Sequence, residues 1–316
     1  MEQFNEQVLV KLPDSVQRRP YHDLYSDIQS DFYMVVVLGE FKRGKSTFIN
    51  ALLGEELLPV GVTPTTATIN ALMWGENRRL SIYRTDGSIE YLDLSPNSLN
   101  AFVAETDVDF DTIKYIKIEL PSDILSNKVV LIDTPGIDDL NEHRVEVTYN
   151  FIPRADAVIF LLDATSPVRQ TEKEFLKESV LKYGLEQIVF LANFMDQVDE
   201  EEREEVIESA HRRLAMVLEN NEKQVIPISA SQALEAKLNG DDDLLKESGL
   251  PEVERILKEI IREGSQGQEK LLRFKIRFEQ ILDACGRELS TLISIQDADY
   301  TQLSQRMVKI EDLLNQ

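Results

Sequence analysis

Eight residues early in the chain, Gly39-Glu40-Phe41-Lys42-Arg43-Gly44-Lys45-Ser46, fit the pattern G-x-x-x-x-G-K-[ST] in full. Their types and spacing suit the capture of a polyphosphate. Glycines let the backbone N–H groups close around one anion, at the positive end of the helix that follows. Lys45 then reaches the β- and γ-phosphates, and Ser46 offers its hydroxyl to Mg2+. Glu40, Phe41, Lys42, Arg43 and Thr47 complete the nucleotide-binding stretch. Further along, Asp133-Thr134-Pro135-Gly136 supplies a carboxylate that can hold Mg2+ through a water, and the Gly136 N–H for the γ-phosphate. Between them, Thr63-Pro64-Thr65-Thr66-Ala67 lies where a mobile threonine that ligates Mg2+ and positions the attacking water is expected.

Two later segments address the base. Asn193-Phe194-Met195-Asp196 places a carboxylate, Asp196, where it can accept two N–H bonds from guanine, an arrangement adenine does not offer. Pro227-Ile228-Ser229-Ala230 brings a backbone N–H, at Ser229 or Ala230, toward the guanine O6.

Such groups need a sheet with loops at one end. Tyr33 to Leu38 is a continuous β-branched run that reads as a buried strand, and the phosphate loop follows it. Similar runs cover 128–133, 157–162 and 187–192, with a shorter one over 224–228. Helical patterns at 46–53, 172–183 and 200–218 alternate with them, which predicts an α/β fold with helices on both faces. Between 68 and 120 the pattern changes. Strands at 68–73, 80–83 and 113–120 and a helix at 97–104 widen the sheet, with antiparallel members.

Pro13 and Pro20 break the first thirty residues, so Phe4, Val8 and Leu12 belong to one short helix and Leu24 and Ile28 to another opened by Pro20. After Pro251 there is no further proline, and apolar residues from Leu271 to Leu314 recur at spacings of three and four. That predicts one amphipathic helix or two. The pattern reaches the last residues without a capping glycine, as in a shortened form of a longer protein. The acidic stretch from Asp196 to Glu208 reads as the solvated start of a helix.

Composition narrows the class. The chain has 316 residues with 34 basic and 57 acidic side chains, net −23, which disfavours sequence-independent nucleic-acid binding. The one cysteine, Cys285, rules out an internal disulfide and a cysteine zinc cluster, and reads as a small core residue. No apolar run approaches the ~20 residues of a membrane span, and the polar, acidic start is no signal peptide; a cytoplasmic protein is expected.

Together and in this order, the segments resemble a GTPase of the dynamin superfamily, specifically the bacterial dynamin-like proteins. Gly39 to Asn50 (GEFKRGKSTFIN), Leu57 to Ala67 (LLPVGVTPTTA) and Leu131 to Ile137 (LIDTPGI) carry the resemblance, which covers residues 30–262 well and the flanks loosely. It implies a Ras-like P-loop GTPase domain with an enlarged mixed sheet over 31–262, and a small helical bundle from 1–30 and 263–316. It implies GTP hydrolysis with Mg2+, a homodimer across the G domains, and Thr66, ahead of Thr65, as the switch threonine. The catalytic set would be Lys42 or Arg43, Lys45, Thr66 and Gly136, and the metal set Ser46, Thr66 and Asp133.

This sequence departs from the pattern in three places. Ile137 stands where small Ras-like GTPases use a glutamine to orient water, so charge must be supplied elsewhere. Lys42 sits where atlastin-like and guanylate-binding relatives place a cis-acting arginine finger, with Arg43 as the neighbouring alternative. Phe194 replaces the lysine that covers the base in most GTPases. The long trunk and membrane tip of larger dynamin-like proteins do not fit into some fifty residues after the G domain, so membrane association would need parts absent from this chain. The alternative function is a slow GTP-dependent scaffold that binds protein partners.

Overall fold

The buried apolar runs become adjacent strands of one sheet. In the computed structural model, residues 19–60, 69–94, 112–137, 151–183, 185, 187–218, 223–264 and 268–314 are described. The strands are β1 (Tyr33–Leu38), β2 (Asn70–Trp74), β3 (Arg79–Arg84), β4 (Ile89–Asp93), β5 (Ile113–Leu120), β6 (Val129–Asp133), β7 (Ala157–Asp163), β8 (Ile188–Asn193) and β9 (Val225–Pro227). They lie in the order β4-β3-β5-β2-β6-β1-β7-β8-β9.

The half that contains β1 is parallel throughout: β1 pairs with β6 and β7, β7 with β8, and β8 with β9. The other half is mixed. β2 runs antiparallel to β6 but parallel to β5, and β3 runs antiparallel to both β5 and β4. The antiparallel widening expected for 68–120 is therefore present, with one parallel pair inside it and one additional strand, β4. The helix expected over 97–104 and the first helix with Phe4, Val8 and Leu12 lie outside the described residues.

Alternation along β1 divides the core. Val35 and Val37 join a hydrophobic cluster with Phe48 and Ile49, while Val36 and Leu38 join another with Phe160, Phe175 and Leu214. Helix α1 spans Arg19–Ser30; α2 (Lys45–Leu53), α5 (Ala230–Asn239) and α7 (Leu250–Gly264) cover the first face. α3 (Gln170–Phe175) and α4 (Arg203–Ala215) cover the second. Both faces are dry, which is why β1 and β6 to β8 read as unbroken apolar runs rather than alternating ones. α6 (Asp242–Glu247) and α8 (Gln268–Leu314) complete the α-helices among the described residues. The helical pattern at 172–183 is one α-helical stretch followed by a π turn over Leu176–Val180 and a 3-10 turn over Leu181–Tyr183. The wider turn keeps Phe175, Leu176, Ser179 and Val180 all on the buried side.

The chain divides into two compact units, residues 31–273 and a second whose described residues are 19–30 and 274–314. In the second, Tyr21 and Leu24 are buried, and the Arg277 guanidinium donates to Asp27 at 2.9 Å. Cys285 is buried in α8, with its thiol pushed up by that burial.

Candidate nucleotide and magnesium site

The carboxyl end of β1 delivers the chain into the loop Gly39–Gly44, and α2 begins at Lys45. Gly44 has φ 79° and sits so tightly that a Cβ there would meet Asn193 Nδ2 at 2.4 Å, so only glycine closes this loop. Lys45 folds back across the loop: its ammonium donates to the Gly39 and Glu40 carbonyls, both at 2.9 Å. The loop thus stays curled around the axis where phosphates would enter. Gly136 lies against its other rim, where an added Cβ would meet the Phe41 nitrogen at 2.6 Å, and the Ile137 N–H donates to Gly39 at 3.3 Å. The two phosphate segments, far apart in sequence, are therefore packed together. A cavity of about 230 Å³ opens between them, lined by residues 41–47, Pro59, Val60, Gly136 and Phe194.

Asp133 ends β6 and is fully buried. One carboxylate oxygen, Oδ2, accepts from Ser46 Oγ at 3.0 Å and Asn70 Nδ2 at 3.4 Å. The other, Oδ1, is buried and has no hydrogen-bond partner among the described residues. Burial pushes this carboxyl up to about 6, against the pull of the Lys45 ammonium and the Ser46 hydroxyl. A buried carboxylate oxygen without a partner is costly, and one beside a serine hydroxyl at the mouth of a phosphate loop suits a hard divalent cation. The donor set fits Mg2+. Thr65 and Thr66 lie outside the described residues.

At the base end, Asn193 links two loops. Its amide nitrogen donates to the Arg43 carbonyl and its oxygen accepts from Ala230 N–H, each at 2.9 Å. Ser229 caps α5, accepting from Gln232 N–H at 3.3 Å, while its own N–H donates to Ser248. The N–H groups of Ser229 and Ala230 thus both have protein partners in this structure. Asp196 is exposed in the turn after β8, free to face solvent. Phe194, with φ 69°, sets its ring 3.6 Å from the Cβ position of Gly44.

The structure separates the two cations of the loop. Lys42 is exposed, with its ammonium 5.5 Å from the centre of the Phe41 ring. Arg43 is buried: it donates to Asp163 at 2.8 Å, to Glu172 at 3.3 Å, and to Glu40. Its guanidinium is committed to three carboxylates, so the finger expected at Lys42 or Arg43 has only Lys42 in an exposed position. Glu40 likewise turns its carboxylate to Arg43 and Thr171. Thr134 fixes the second phosphate segment by donating to the Val37 carbonyl at 2.7 Å.

Three residues were not singled out from sequence. Asn50 accepts from the N–H groups of Leu57 and Leu58 and donates to the Leu58 carbonyl, clamping the segment that leads toward the threonines. A polar residue within the apolar helix KSTFINALL was the available signal. Asn70 braces Asp133, and Glu172 holds Arg43; neither carries a local motif.

The sequence profile of the dynamin family matches residues 35–194. The chain belongs to the dynamin family. It contains a dynamin-family GTPase domain, a Ras-like P-loop fold whose sheet is enlarged by β2 to β5. An uncharacterized protein in the xynA 3′ region of Caldicellulosiruptor sp. is 28% identical over 312 residues, 99% of this chain and 75% of its own length. The bacterial dynamin-like protein of Nostoc punctiforme is 27% identical over 320 residues, 92% of this chain and 45% of its own. The probable transmembrane GTPase FZO-like, chloroplastic, of Arabidopsis thaliana is 34% identical over 228 residues, 70% of this dynamin-family chain and 22% of its own. Among solved structures, a chain from an oligomerised bacterial dynamin pair, described as sensing and tethering membranes, has a similar fold. It superposes with a TM-score of 0.61 at 23% identity, over 92% of this chain and 54% of that one. The chain spans about half the length of the Nostoc relative and of that solved dynamin.

Proposed function

We propose that this chain hydrolyses GTP to GDP and phosphate with Mg2+, and that pairing of two G domains across the nucleotide accelerates the reaction. The observation that carries the metal-dependent reading is the unpartnered Asp133 oxygen beside the Ser46 hydroxyl. Ser46, Asp133 and Thr66 would hold the ion, which supplies charge to the phosphate oxygens. Lys45 leaves its two loop carbonyls to bind the β- and γ-phosphates. The Gly136 N–H meets the γ-phosphate, and Asp196 selects guanine while the Phe194 ring stacks on the base.

Ile137 offers no group to orient water, so the charge that lowers the barrier is assigned to Lys42. Its exposure on the loop, and the commitment of Arg43 to buried carboxylates, support that choice. Residues 31–262 are read as the nucleotide domain, with 1–30 and 263–316 as a small bundle. The Arabidopsis relative is named a transmembrane GTPase. No helix among the described residues is long and apolar enough to cross a membrane.

The test is GTP turnover per molecule, with and without Mg2+, across a wide range of protein concentration and with ATP as control. A specific rate that climbs with concentration supports pairing. A flat, slow rate with tight GTP binding favours a switch that recruits protein partners instead. ATP turnover equal to GTP overturns the base reading built on Asp196.

A further inference from the structure

One buried charged cluster lies outside every nucleotide motif except at a single point, the phosphate loop. It contains Glu40 and Arg43 from that loop, Asp163 from the end of β7, and Arg169, Thr171 and Glu172 from the start of α3. Glu172 is fully buried with a protein donor on each oxygen: Oε1 accepts from Arg43 Nε at 3.3 Å, and Oε2 accepts from the Arg169 N–H at 2.8 Å. Arg43 spreads its fork over Glu172, Asp163 and Glu40. Glu40 also accepts from Thr171 and from Arg169 at 3.4 Å. Asp163 is held by the Thr165 N–H at 2.9 Å and hydroxyl at 2.6 Å.

Arg43 is therefore clamped at both ends. Its carbonyl is held by Asn193 from β8, and its guanidinium by the carboxylates of β7 and α3. The next residues are Gly44 and Lys45, whose positions decide where phosphates bind. A phosphate loop works only when its N–H groups already converge, so its anchorage bears directly on affinity. The cluster also solves a charge problem. Glu40 is a carboxylate inside a loop built for anions, and Arg43 pairs with it.

We propose that Glu172 is a positioning residue for GTP hydrolysis, acting through Arg43 to hold the phosphate loop in its nucleotide-ready shape. The inference rests on reading Gly39–Ser46 as the phosphate loop. Three carboxylates face two guanidinium groups here, and Arg169 is half exposed. That surplus makes the clamp sensitive to protons. Burial, with Glu40 adding to it, lifts Glu172 to about 7, while Arg43 and the Arg169 N–H pull the other way. The ionised carboxylate makes a charge-assisted bond to Arg43; the protonated one makes a weaker neutral bond.

The experiment measures GTP turnover and nucleotide affinity of the full chain between pH 5.5 and 8.5. The parent is compared with Glu172→Gln, which keeps the shape and one acceptor oxygen but loses the charge and turns an amide NH2 toward one of the two donors. At pH 8, Glu172→Gln is expected to raise KM roughly threefold to tenfold with kcat within about twofold, since a looser loop weakens ground and transition states alike. The parent's KM should rise as pH falls through about 7, and that limb should be missing from Glu172→Gln. A folded Glu172→Gln protein with the parent's KM and pH profile overturns the proposal.

Arg43→Lys keeps one charge but cannot span three carboxylates. If Glu172 acts through Arg43, the double variant should be no weaker than Arg43→Lys alone; additive losses overturn the coupling, and this cycle serves if Glu172→Gln folds poorly at one pH. Lys45→Ala separates the two levels. A parent that binds GTP only while Lys45 is present upholds the phosphate-loop reading whatever Glu172→Gln does. A parent indifferent to Lys45→Ala removes that reading and this inference together.

Discussion

Two buried carboxylates flank the phosphate loop, and they are built in opposite ways. Asp133, on the β6 side, has one oxygen held by Ser46 and Asn70 and the other with no partner among the described residues. Glu172, on the α3 side, has both oxygens occupied by protein donors. Burial raises both, to about 6 and about 7. The difference is in what each can still accept. The Asp133 oxygen with no partner can still accept from a cation, as proposed above, whereas each Glu172 oxygen already accepts from a protein donor. High burial and a raised carboxyl therefore do not by themselves mark a metal ligand, and the role proposed for Asp133 rests on its unpartnered oxygen as well.

The sharpest way to break this contrast is Asp133→Asn beside Glu172→Gln. Asp133→Asn should lower turnover by about 100-fold or more and weaken the dependence on Mg2+, on the scale of losing one electrostatic group at a phosphoryl site. The fold should survive, because a buried charge has been removed. Glu172→Gln should leave the Mg2+ concentration for half-maximal rate unchanged. Equal shifts in that concentration would erase the distinction. For stability, Glu172 binds its proton more tightly folded than unfolded. Its contribution is present below about pH 4.5 and is lost as pH rises through about 7. The melting temperature of Glu172→Gln should therefore gain on the parent's between pH 5 and pH 8.

Next in size is Lys42→Ala. Lys42 lies on the same loop as Arg43 but exposed rather than clamped. Its loss should cut kcat at least about tenfold while nucleotide affinity stays within about twofold, the signature of a group that acts only in the transition state. Equal losses in both would make Lys42 a binding residue.

Much of this was readable because the parallel half of the sheet is buried on both faces. A dry strand must be apolar at every position, so β1, β6, β7 and β8 stand out as runs, and the phosphate motifs fall at their ends. β4 was missed for the converse reason: its burial is exposed at four of five positions, so it carries no apolar signal. The Asp86-Gly87 dipeptide at its turn was the legible cue, with Asp86 accepting from the Ser88 N–H at 2.8 Å. The loop motifs were local, and local motifs can be found in a string. The Glu172 clamp was not, because its partners lie 3 residues apart on one side and 129 away on the other. Nothing in QTEKEF distinguishes Glu172 from the exposed Glu174 two positions on.

A smaller effect is expected at Phe194, which lines the cavity beside the loop and is proposed to stack on the base. Its ring packs by Gly44 rather than supplying the stem of a lysine. Phe194→Ala should weaken GTP and GDP binding about fivefold to tenfold, the scale of one base–aromatic stack, with little change in kcat. Phe194→Lys should recover most of that loss. If Phe194→Ala binds as the parent does, the ring is core packing and the base is held by Asp196 alone.

The smallest effect belongs to an ion pair whose geometry is better than that of the clamp. Arg78 meets Glu55 with two parallel bonds, 3.1 and 2.8 Å, yet both side chains are about one-third exposed. Water solvates each charge nearly as well when the other is gone, so Arg78→Ala should cost less than about 1 kcal/mol of stability, shrinking further in high salt. The Arg43 fork makes one bond as long as 3.3 Å, but its removal would leave Glu40 and Glu172 buried with only the half-exposed Arg169 as counter-charge. Thermal melts of Arg78→Ala and Arg43→Ala, each in low and high salt, compare the two directly. A large, salt-insensitive loss at Arg43 with a slight, salt-sensitive one at Arg78 would show that burial, and not bond geometry, decides how much each arginine contributes to stability.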